Sequence, residues 1–245
     1  MKKLPFLFFL LLAIPLMAQT ETNHNPSMVS KLAILAGLSL LPFAIMLLTS
    51  FMKIVVCLSL LRSALGLQNT PPNQVINGMA LILSLYVIFP TGLAMYHAAE
   101  KVIQTNPPTE VLSDKSALYV INVIDKAKEP LREFLQRNTN SNHIQKFFAL
   151  GSRVFPEQYK TLFKKNDFIY LIPSFIITQL QTAFQIGVLI YLPFFVIDLV
   201  VSNILLAMGM MMLSPMTIAL PIKLLLLVIV DGWTLLIQSL ALSFK

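Results

Sequence analysis

From Phe168 to Phe244 the chain carries only three charged side chains, Asp198, Lys223 and Asp231. A helix needs about 20 apolar residues to cross the hydrocarbon of a bilayer. A run this long is therefore more than one such segment and belongs against lipid or apolar neighbours. Pro173, Pro193, Pro215 and Pro221 divide it. The sharpest break is Met208–Pro221, with Gly209, Ser214 and two of those prolines. The pattern predicts a long kinked helix, a turn region and a last helix, a second hydrophobic hairpin over residues 168–245.

A first apolar block runs from Leu32 to Leu67, and its main polar interruptions before Arg62 are Thr49-Ser50 and Lys53. It predicts one bent helix or two nearly in line, with Pro42 as the kink. The hydrophilic turn Gln68–Gln74 contains Pro71 and Pro72, and a second block follows from Val75 to Ala98, kinked at Pro90. Residues 31–98 thus read as a first hairpin. Hydrophobic residues make up 56% of the chain and charged ones 12%, about half the charge a soluble domain carries.

Residues 99–167 are different. Leu131-Phe134-Leu135, Ile144-Phe147-Phe148, Val120-Val123-Ile124 and Tyr159-Leu162-Phe163 each follow the i, i+3, i+4 spacing of one helical face. They predict a small soluble helical domain between the hairpins, too short to bury much core by itself. The fold class expected is all-α: membrane-associated bent hairpins with this domain inserted.

Met1-Lys2-Lys3, the apolar Leu4–Leu16 and Ala18 before a polar stretch read as a signal peptide over residues 1–18. A cleaved signal starts the chain outside, one hairpin returns it there, and the charged domain becomes extracytoplasmic. Its basic excess points the other way, but the positive-inside rule fades in loops of this length. The net charge of +7 raises nucleic acid as a partner. Most of the eighteen basic residues lie between Lys101 and Lys165, mixed with acidic ones, and they form no aromatic-interleaved basic stripe. A solvated charged domain with no nucleic acid is the expected reading.

Charges inside apolar segments face a partner or a cavity. Asp198 and Lys223 have opposite charge on adjacent helices, which predicts an ion pair within one chain or between copies; the other reading has Lys223 snorkelling to an interface beside Pro221. Lys223 and Asp231, eight apart, are expected on one face of the last helix. Thr178, Gln181, Thr182 and Gln185 form a polar stripe that either packs helices or lines a wet conduit. Met210, Met211 and Met212 cannot share a helical face, so they are expected in a turn. There they are either ordinary apolar filling or, repeated round a ring, a deformable constriction. Cys57 reads as a small buried hydrophobe. His24, His97 and His143 lack metal-ligand spacing, and no phosphate loop or nucleophile motif occurs. No cofactor, metal or enzymatic activity is expected.

Pro173–Gly187 and Pro221–Trp233 resemble the two signatures of the SctR/FliP family of type III secretion export subunits. Ile197–Val200, Leu205–Met212, Leu61–Gly66 and Pro71–Gln74 are similar to that family as well. The resemblance implies a pentamer with SctS/FliQ-like and SctT/FliR-like subunits, working with SctU/FlhB-like and SctV/FlhA-like components. It implies a channel for unfolded secreted proteins in the bacterial inner membrane, largely on the periplasmic side, with Met210–Met212 as the pore gasket. Ala64–Gln68, Leu83–Val87 and Met212–Pro215 look more like the injectisome (SctR, YscR) branch than the flagellar (FliP) branch, though the signal peptide is more usual in the latter. A stand-alone ion-coupled transporter is the alternative of another class, without the repeated halves many transporters show.

Overall fold

A computed structural model describes residues 39–40, 42–105, 114–160, 163–210 and 212–244. The expected signal peptide, Met211 and Leu162 lie outside the described residues. Those residues form helices and connections, with no strand among them. In chain order the helices are α1 (Phe51–Ala64), α2 (Asn73–Thr105), α3 (Asp114–Arg137), α4 (Ser141–Val154), α5 (Glu157–Lys160), α6 (Phe168–Ala207), α7 (Pro215–Ile229) and α8 (Gly232–Leu242).

Two breaks differ from the expectation. The helical stretch Pro42–Leu48 meets α1 at 73°, the bent alternative rather than two helices nearly in line. The break falls at Thr49-Ser50, where the Thr49 hydroxyl takes over freed backbone groups. Thr49 Oγ1 donates to the Ile45 carbonyl at 2.6 Å and accepts from Phe51 N at 3.3 Å. Ser84 Oγ on α2 donates to the same oxygen at 2.7 Å.

The second correction concerns the last helix, which is two: α7 and α8 meet at 63°. Asp231 stops α7 in the left-handed region at φ 50°, its N–H bonding the Val228 carbonyl at 3.1 Å. Lys223 and Asp231 therefore do not share a face of one helix. By contrast, α6 runs unbroken through Pro173 and Pro193 for 40 residues, about 60 Å at 1.5 Å per residue.

Both hairpin tips begin with the same helix ending. After α1, Gly66 at φ 80° bonds Ser63 O, and Leu67 N bonds Arg62 O. After α6, Gly209 at φ 71° bonds Leu206 O, and Met210 N bonds Leu205 O. These are Schellman pairings, which satisfy orphan carbonyls and favour glycine at the left-handed position. Pro215 then occupies the first turn of α7, where its missing N–H costs nothing.

Helix α1 lies between the hairpins, against α6 and α2. At Gly187 on α6 an added Cβ would lie 2.2 Å from Leu60 Cδ1, so the close approach to α1 depends on glycine. One core joins Ile54, Leu58, Ala80, Ala183 and Leu240, and another joins Leu61, Ala64, Phe194 and Leu227. The charged stretch completes its core with the hairpins: Phe134, Leu135 and Ile144 pack on Leu171 and Phe175, with Val87 and Phe244 alongside. Residues 99–105 continue α2 rather than opening the stretch.

Candidate functional site

Three helices meet at Lys223. Its Nζ donates to Asp198 Oδ2 at 2.7 Å and to the Ala64 carbonyl at 3.0 Å. The turn after α6 folds α7 back along it, which brings Lys223 and Asp198 together within one chain. Ala64 ends α1, and the last carbonyls of a helix lack helical partners. Lys223 supplies one of them with a donor. Its side chain is 5% exposed, while that of Asp198 is 36% exposed. The ammonium is thus deeply placed and its carboxylate reaches toward the outer surface.

The polar stripe on α6 divides into parts with different surroundings. Thr178 Oγ1 accepts from Asn140 N at 3.2 Å and donates to Ser174 O at 2.7 Å. Gln181 Oε1 lies 2.8 Å from His143 Nε2. Thr182 Oγ1 donates to the Thr178 carbonyl at 2.8 Å, and Gln185 is exposed. The first two residues therefore hold the corner between α3 and α4, whose helix Asn140 caps by accepting from Asn142 N. Gln179, one position off the stripe, does the same from a buried position: its Nε2 donates to Asn138 O at 2.8 Å. The stripe pattern passed over Gln179 because it lies off the helical face shared by Thr178, Gln181, Thr182 and Gln185.

At the tip of the second hairpin, Met208, Met210 and Met212 are exposed in the single chain, Met212 fully. Gly209 and Pro215 fix the two ends of the turn, so the methionines project from a defined base. The α1–α2 tip lies beside it: a Cβ added to Gly66 would be 3.9 Å from Met216 Cγ. Arg62 stiffens that neighbouring tip by donating to Pro71 O at 3.1 Å and Asn73 Oδ1 at 2.7 Å.

Lys53 is the second buried lysine, which the sequence marked only as an interruption of an apolar block. It donates to Ser243 Oγ at 3.0 Å and lies 3.8 Å from the centroid of the Phe244 ring. Cys57, one turn on, is buried and donates its S–H to the Ala183 carbonyl at 3.6 Å.

Helices 73–101 and 168–207 are each long and apolar enough to cross a bilayer, and each bent pair could supply another crossing. With an ion pair inside the second apolar hairpin, these features define a helical membrane protein. The chain belongs to the FliP family, whose model matches residues 34–240. It is 44% identical over 221 residues to Yop proteins translocation protein R of Yersinia pestis, covering 89% of this chain and 97% of that one. It is 40% identical over 222 residues to hypersensitivity response secretion protein HrcR of Ralstonia nicotianae, covering 91% and 100%. Flagellar biosynthetic protein FliP of Bacillus subtilis is 36% identical over 231 residues, covering 94% and 98%.

Proposed function

We propose that the chain is a channel-forming subunit of a type III secretion export gate, passing unfolded proteins across the bacterial inner membrane. Relatives named for secretion at 40–44% identity, against 36% for the flagellar one, favour the injectisome branch. The subunit provides a conduit and carries out no reaction. It works as one copy in a ring, a pentamer with SctS-like and SctT-like subunits, together with SctU-like and SctV-like components.

The methionine turn carries the reading. A seal around a moving unfolded chain must fit many side chains and grip none. Unbranched thioethers repack easily and offer no strong hydrogen bonds. In a ring, each copy brings Met210, Met211 and Met212 to the axis from a base fixed by Gly209 and Pro215. Two other features support assembly. Ile82, Tyr86 and Phe89 on α2, and Val188, Leu189 and Leu192 on α6, expose apolar side chains that neighbouring subunits would cover. The length of α6, about 60 Å, is twice the ~30 Å of bilayer hydrocarbon, which suits a subunit standing largely out of the membrane plane. The charged stretch lies on the extracytoplasmic side in this reading.

The test replaces Met210, Met211 and Met212 by alanine in the complete complex. Small-solute permeability of membranes carrying it should rise while assembly is retained. An assembled triple variant as impermeable as the wild type would leave these methionines as packing only.

A further inference from the structure

Lys53 is 3% exposed within an apolar helix, and no ion pair involves it among the described residues. A buried ammonium without a carboxylate is costly, and a membrane helix retains one where it serves a role. Both of its recorded contacts lie at the far end of the second hairpin. Ser243 Oγ donates its own proton to the Leu240 carbonyl at 2.7 Å, which leaves its lone pairs for Lys53. The Phe244 ring presents its face to the ammonium and also stacks on Phe134 of α3, centroids 6.5 Å apart at 14°. At the other end of α1, Lys223 holds the Ala64 carbonyl. A lysine therefore fastens each end of this 14-residue helix to the second hairpin.

We propose that Lys53 is a positioning residue, a clasp whose positive charge holds Ser243–Phe244 against the start of α1. A cation over a desolvated ring is held more strongly than over an exposed one, whereas an apolar side chain of equal length would fill the space without holding ring or hydroxyl. The clasp stands independently of what the assembly transports.

Hydrogen exchange of the native, detergent-solubilised complex tests it, followed on a peptide covering the end of α8 through Phe244. Lys53→Met keeps the length and removes the charge. It should speed exchange at the amides of Ser243 and Phe244 by on the order of tenfold while leaving the middle of α6 unchanged. Lys53→Arg keeps a charge that stacks on rings and should stay near wild type. Wild-type exchange in Lys53→Met overturns the proposal. So does equal acceleration in the arginine variant, since charge would then not be what holds the tail. If Lys53→Met fails to assemble, Phe244→Leu carries the same measurement, because it keeps bulk and removes the ring face. Unchanged exchange there also overturns the clasp.

Discussion

Lys223 and Lys53 are buried almost equally, at 4% and 3% exposure, yet their surroundings differ in kind. Lys223 meets a carboxylate and a helix-end carbonyl. Lys53 meets an aromatic face and a hydroxyl, both neutral. Burial alone therefore does not rank the two. What matters is what each would leave behind. Without Lys223, Asp198 keeps a charge with nothing opposite it. Without Lys53, the ring and the hydroxyl lose a contact, and no charge among the described residues is stranded.

The largest effect should follow from Lys223→Met, about 3–5 kcal/mol for breaking a buried pair, at the lower end because Asp198 is partly exposed. Yield of assembled complex and its melting would show the loss. Adding Asp198→Leu should recover most of it by removing the stranded charge. A single variant as stable as the wild type would mean that the pair contributes nothing, and one equal to the double would mean that the unpaired Asp198 carries no cost. Exchanging the two charges should restore little, because a carboxylate at position 223 would face the Ala64 carbonyl oxygen.

Lys53→Met should cost less, about 1–2 kcal/mol for one hydrogen bond and one cation–π contact. The complex should still assemble and melt a few degrees lower. A loss as large as that of Lys223→Met would erase the contrast between the two lysines. The smallest effect is expected away from both, at Asp231→Gly. Glycine removes a left-handed penalty of about 1 kcal/mol, partly offset by losing the 2.9 Å bond that Asp231 Oδ1 accepts from Thr234. Slightly raised melting would show that the α7–α8 bend needs the backbone shape rather than the charge.

The all-helical class was legible because long apolar runs leave few alternatives, and the Asp198 and Lys223 juxtaposition because opposite charges flank one turn. The third partner at Lys223 was not legible, since a backbone carbonyl at a helix end has no mark in the sequence. Nor were the bends. Pro90, Pro130, Pro173, Pro193 and Pro221 all lie inside helices. Packed neighbours tolerate the hydrogen bond a proline removes. The sharp bends instead fall where Thr49 receives stranded backbone groups, or where Asp231 accepts a left-handed conformation. Those choices are made by local competition for partners, which a scan for helix breakers does not see. The stripe on α6 was visible as a period, but its use as a dock for Asn140 and His143 depended on where α3 and α4 come to rest.

The stacking of Phe244 on Phe134 sets an order of events during synthesis. Helices α3 and α4 emerge from the ribosome before the second hairpin, yet Leu135 and Ile144 find apolar partners on α6, and Phe134 stacks on Phe244, which lies beyond α8. Until then the early helices expose the faces they will bury, in a chain whose closing contacts are distant in sequence and correspondingly slow to form. Arrival of the second hairpin, rather than emergence of the middle of the chain, is the step that lets these early helices bury their faces.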